Sequence, residues 1–116
     1  MSAEASTISV DRAEFPGMLA TLCSYECHFG PCHPQTLFLQ THLAIAYWQA
    51  GEFRYARPLL EKSVRDLGRY IGRDQEPRLR AIAALRDLLL SQGEIELAAA
   101  AQRELLECQK ESPRPL

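Results

Sequence analysis

The sequence predicts an all-α fold of antiparallel helix hairpins, five helices making about two and a half stacked units. Three observations carry this. Apolar residues recur at steps of three and four, which is helical period and not the alternation of a half-buried strand. Glycines recur in register, Gly51 to Gly93 and Gly30 to Gly72, at a step of 42. Prolines stand where helices start, at Pro16, Pro34 and Pro77, where a first-turn N–H has no intrahelical partner to lose.

Residues 1–10 are small and polar and are expected to form a flexible N-terminus; Ser6 and Thr7 could begin a turn. The repeat domain is expected over 11–110. Its first helix runs to Phe29, with the firm part starting near Pro16 and Asp11 able to cap a preceding turn. Phe15, Met18, Leu19, Leu22, Tyr25 and Phe29 share its apolar face. By the repeat register this is the second helix of a unit whose first helix is absent.

Gly30-Pro31-Cys32-His33-Pro34 ends that helix and starts the next. The central hairpin spans Gln35–Ala50 and Glu52–Ile71. Leu39, Leu43, Ala46 and Tyr47 form the stripe of its first half, widened by Leu37, Ala44 and Trp48. Gly51 stops the helix, because glycine accepts the left-handed backbone of a C-terminal cap. Phe53, Ala56, Leu59, Leu60, Val64 and Leu67 begin the return stripe, and a loop this short sets the two helices antiparallel. Pro58 lies inside the second half. It removes one backbone hydrogen bond, and an interior proline costs about 3 kcal/mol in an isolated helix. The stripe nevertheless continues through Gly68 to Tyr70 and Ile71, so the helix is kept whole.

After a charged connection at 72–76, Pro77–Gln92 is the fourth helix, with Leu79, Ile82, Leu85, Leu88 and Leu89 inward. Glu94–Lys110 is the fifth, with Ile95, Ala98, Ala101, Leu105 and Leu106 inward. Residues 111–116 hold two prolines and are expected to be a flexible C-terminus.

The central hairpin resembles a tetratricopeptide repeat of the kinesin-light-chain type. That family writes His-Pro-Asp/Glu-Thr, Leu-Asn-Asn-Leu-Ala, Tyr, Gln-Gly-Lys/Arg-Tyr and Glu-Ala-x-Pro-Leu-Leu-Glu in order. Here stand His33-Pro34-Gln35-Thr36, Thr41-His42-Leu43-Ala44, Tyr47, Ala50-Gly51-Glu52-Phe53 and Tyr55-Ala56-Arg57-Pro58-Leu59-Leu60-Glu61. The resemblance is close over 30–71, looser over 78–109 and faint before Gly30. It implies an α-solenoid that binds a protein or peptide in the concave groove formed by the first helices of each repeat. In the family two asparagines on that face hold extended peptide backbone. Their positions carry Thr41 and His42 here, and Ala83 and Ala84 one repeat later. The expected partner-binding face is therefore Phe38, Thr41, His42, Ile45, Trp48 and Gln49, with Arg80, Ala84, Asp87 and Ser91. Phe38, Ile45 and Trp48 would form an apolar strip along it.

Composition narrows the function classes. A chain of 116 residues with 47% hydrophobic and 24% charged residues fits one soluble domain. A net charge of -2 gives no basic footprint for nucleic acid. No apolar run approaches the roughly 20 residues that span a bilayer. No export signal is legible at the start, so four cysteines are expected as free thiols in a reducing cytoplasm. Too few units to cover their own ends predict a homo-oligomer.

Chemistry-bearing patterns are sparse. No nucleophile elbow or phosphate-cradling glycine loop is present, and no catalytic residue, enzyme activity or cofactor is expected. Glu94 with Glu96, and Glu104 with Glu107, read as solvated helix charges. Cys23, Cys27, Cys32 and His33 carry the alternative, a small metal- or thiol-dependent regulator, since three thiolates and an imidazole suit tetrahedral zinc. Cys23 and Cys27 read first as small packing residues, and Cys108 as a surface thiol of the last helix.

Overall fold

The computed structural model describes residues 14–111. The expectations for the two termini, including Asp11, Ser6 and Thr7, lie outside the described residues. Within them the chain is all-helical: α1 (Phe15–Phe29), α2 (Pro34–Gln49), α3 (Phe53–Tyr70), α4 (Glu76–Ser91) and α5 (Ile95–Glu111). Each helix packs against the next, and among the described residues the one further pair in contact is α2 with α4. The molecule is thus a run of antiparallel helix hairpins. No described helix is long and apolar enough to cross a membrane.

Helix boundaries follow from local chemistry. Pro16, Pro34 and Pro77 sit in first turns. His33 caps α2, its Nδ1 accepting the Gln35 amide at 3.1 Å. At the end of α2 the Gly51 amide donates to the Trp48 carbonyl at 2.9 Å and the Glu52 amide to Tyr47 at 2.8 Å. At the end of α4 the Gly93 amide donates to Leu90 at 3.1 Å and the Glu94 amide to Leu89 at 2.9 Å. These are the same cap, with φ of 83° at Gly51 and 79° at Gly93, a conformation that a Cβ disfavours. From Gly51 to Gly93 the 42-residue step is therefore a repeat of backbone geometry as well as of letters. α3 runs unbroken through Pro58, which lies exposed.

The main core joins α1 to α4 through Phe15, Leu22, Leu43, Ala44, Tyr47, Ala56, Leu60 and Leu88, with the Phe15 and Tyr47 rings 4.4 Å apart. A smaller cluster of Leu37, Leu67 and Ala81 closes the other end of the α2–α3–α4 layer. Each fully buried leucine contributes roughly 1.5–3 kcal/mol relative to exposure. Inside the α2–α3 seam, buried Gln40 donates to the Ser63 hydroxyl at 3.2 Å and accepts from Lys62 at 3.1 Å.

Several side chains depart from the faces expected of them. Leu19 and Phe29 of α1 are exposed, while Phe15 and Leu22 are buried. On α5, Ala98 and Leu105 are buried but Ile95 and Leu106 are exposed. Ile95 falls one repeat after Phe53, which packs against the main core; among the described residues no helix follows α5 to cover Ile95 in turn. Cys108 is fully buried, not on the surface, because it lies beneath the Arg78 guanidinium.

Arg78 is a buried cation that explains several of these features. It donates from Nε to the Val64 carbonyl at 3.1 Å, from Nη1 to the Arg73 carbonyl at 3.0 Å and from Nη2 to Glu104 at 2.8 Å. One side chain so ties α3, the α3–α4 connection and α5 together. Gly68 makes room for it: a Cβ there would fall 2.8 Å from Arg78 Nε. Glu104 is therefore not a free solvated charge, since it pairs with Arg78 and with Arg73 at 3.7 Å. Glu94 likewise meets Arg57 of α3 at 3.8 Å.

Candidate functional site: the groove between α2 and α4

α2 and α4 run side by side, and their first halves frame a groove of about 340 Å³. From α2 it receives Phe38, Thr41, His42 and Ile45, spaced at three and four so that they share one face. Pro77 and the charged pair Glu76 and Arg80 come from α4, and Leu67 reaches it from α3. Phe38 is 40% exposed, while Leu67 is fully buried.

The polar groups are distributed unevenly. The Thr41 hydroxyl donates to the Leu37 carbonyl at 2.9 Å and is committed to its own helix. His42 is exposed and also borders a second depression, shared with Met18 and Thr21 of α1. Arg80 donates to Glu76 at 3.2 Å across one helical turn, and both are well exposed. Such a pair is weakly held, so either partner can turn to an incoming group at small cost. The groove is thus apolar in its floor, with one ion pair and one imidazole at the rim.

Of the expected binding face, the structure brings together Phe38, Thr41, His42, Ile45 and Arg80. Trp48 stands elsewhere, half-buried against the main core. Gln49 is exposed at the end of α2 and does not line the groove. Ala84 is buried in the core. Asp87 accepts from Arg86 at 2.9 Å and borders a depression between α4 and α5 instead. The Ser91 hydroxyl donates to the Leu88 carbonyl at 2.7 Å. Leu67, Glu76 and Pro77 also line the groove, outside the face that the sequence predicts. The spacing of Glu76 and Arg80, oppositely charged and four apart, was the available signal for a helix surface there.

The cysteine alternative disperses. Cys23 and Cys27 are exposed on α1 beside Ala20, Ser24 and His28, so they are not packing residues. Cys32 is exposed in the α1–α2 connection, beside the Tyr70 phenol. The neighbouring Cys32 side chain pushes the Tyr70 phenol above its ordinary pKa. His33 is engaged as the α2 cap and stacks on Phe29 with centroids 4.8 Å apart. Among the described residues no group of three or more His, Cys, Asp or Glu could hold a metal ion.

Tyr47 is the other perturbed phenol. Burial raises its pKa first, and the neighbouring Tyr55 and Glu52 add to the shift. Its ring lies between Phe15 and Tyr55, which makes it a core residue with a polar tip.

No protein-family model matches the chain, and no curated protein matches it.

Proposed function

We propose that this chain is a tetratricopeptide-like interaction module, non-enzymatic, that takes an extended segment of a protein partner into the groove between α2 and α4. The observation that carries this reading is the groove itself: Phe38, Ile45 and Leu67 on its floor, and Glu76 with Arg80 at its edge. It lies between the first helices of successive hairpins, the place where the resemblance puts the binding face. The repeated Gly51 and Gly93 caps support the assignment of hairpins to repeats. The departures at Thr41 and His42 imply a different grip from that of a pair of asparagines. An apolar anchor on the partner, seated beside Phe38 and Ile45, supplies affinity, and a carboxylate displacing Glu76 from Arg80 supplies orientation.

Selection of a random peptide library on the immobilised protein tests this. Selected peptides should share an apolar anchor with an acidic residue nearby. Their affinity should fall about tenfold or more, roughly 1.4 kcal/mol or above, with Phe38→Ala. Arg80→Ala should weaken only peptides that carry the acid. Peptides that bind both variants as tightly as the parent protein would place the binding face elsewhere.

A further inference from the structure

α5 carries an apolar strip that nothing among the described residues covers. Ile95 is 60% exposed and Leu106 is 54% exposed. They stand eleven residues apart, about three helical turns, and therefore share one face. Ala99 and Gln102 fall between them on the same face. Along one side the strip borders the depression against α4, where Leu90 is also exposed. One repeat earlier, the positions of Ile95, Ala98 and Gln102 are Phe53, Ala56 and Leu60, which belong to or pack against the core that α3 shares with α4. The α5 strip thus has the shape of a seat for a helix.

The strip reads the same from either end. Ile95 and Leu106 are equally distant from the midpoint of the strip, between Ala100 and Ala101, and so are Ala99 and Gln102. A second α5 laid antiparallel across a two-fold axis at that midpoint sets each Ile95 on the partner's Leu106. It also sets each Ala99 under the stem of the partner's Gln102, small against long. The charges agree. Glu96 and Arg103 are both exposed along the edge of the strip that faces away from α4, on opposite sides of the midpoint. Antiparallel helices bring like edges together, so each Glu96 comes within reach of the partner's Arg103, twice over. A head-to-tail stack would set α5 against α1, two second helices in succession, and would leave the assembly open. The two-fold arrangement keeps the interface closed.

We infer that α5 is a homodimer interface, two copies of this chain packing antiparallel through Ile95, Ala99, Gln102 and Leu106 with Glu96–Arg103 pairs along one edge. The inference is independent of the peptide groove, to which α5 contributes no residue.

Light scattering and sedimentation equilibrium over a concentration series test it. The native chain should give twice its 13.1 kDa mass at high concentration and dissociate on dilution. Ile95→Lys and Leu106→Lys should each give the monomer mass with unchanged helical circular dichroism, since both side chains are exposed. Glu96→Arg and Arg103→Glu should each weaken association about tenfold, and the double swap should restore it. A native chain that stays at 13.1 kDa throughout overturns the inference. So does a dimer indifferent to both lysine variants, or single and double charge swaps with the same effect.

Discussion

The α2–α3 and α4–α5 hairpins share a cap and differ in what surrounds them. Both turn through the same pair of amide–carbonyl bonds at Gly51 and Gly93. The first is then covered by α1 on one side and by α4 on the other, so its leucines are buried and its polar seam is Gln40 with Ser63. The second packs against α3 and more lightly against α2, and polar pairs join its helices to each other and to α3: Arg78 with Glu104, Arg86 with Gln102, Arg57 with Glu94. Equivalent positions thus hold Leu60 and Gln102. The difference teaches that the turn chemistry makes a hairpin, while its neighbours decide which of its faces becomes core.

The sharpest break of this comparison is a matched pair of truncations. Leu60→Ala should cost about 2–5 kcal/mol, as fully buried leucines do. Gln102→Ala, one repeat later, should cost about 1 kcal/mol or less, the net worth of its bond to Arg86. Urea denaturation of both variants decides the matter, and equal losses would mean the second hairpin is as enclosed as the first. Next in size, Arg78→Ala should lose about 2–4 kcal/mol, because the Val64 and Arg73 carbonyls and Glu104 all lose a charged donor at once. Glu104→Gln should cost less, since its carboxylate is 39% exposed. A smaller Arg78 effect than Glu104 effect would contradict the assignment of Arg78 as the tie.

Smaller still, Gly51→Ala and Gly93→Ala should each cost about 1–2 kcal/mol for forcing a Cβ into the left-handed region. No atom crowds either position, so the two costs should agree within experimental error. The smallest effect is on pH dependence. The folded-state pKa of Tyr47 is raised, so the folded chain holds its phenolic proton after the unfolded chain has released it. Stability from this group is intact below pH 10 and declines as pH rises beyond it. Tyr47→Phe should flatten that decline in thermal melts taken on the alkaline side.

Helix positions were legible almost to the residue, because proline and glycine act locally: Pro34 and Pro77 set starts and Gly51 and Gly93 set stops whatever lies around them. Part of the groove was legible for the same reason, since Phe38, Thr41, His42 and Ile45 share a face by helical spacing alone. What could not be read depends on neighbours distant in sequence. Periodicity points Ile95 and Leu106 inward, yet no helix among the described residues covers them. Trp48 looked like a groove residue and is drawn into the core that Phe15 and α4 complete. Arg78 carried no sign of burial, because its acceptors are main-chain carbonyls that every sequence has. Cys108 reads as a surface thiol and is buried by that same partner.

The order in which the helices touch has a mechanical consequence. Among the described residues backbone packing links α5 to α4 alone, with Glu94 and Glu104 as outlying tethers. A load applied at the last helix would therefore peel it off as a strip, shearing those two tethers before the leucine layers feel any force. Amide exchange should rank the helices accordingly, fastest in the two outer helices α1 and α5 and slowest in α2 and α3, with the protein loosening from its ends inward.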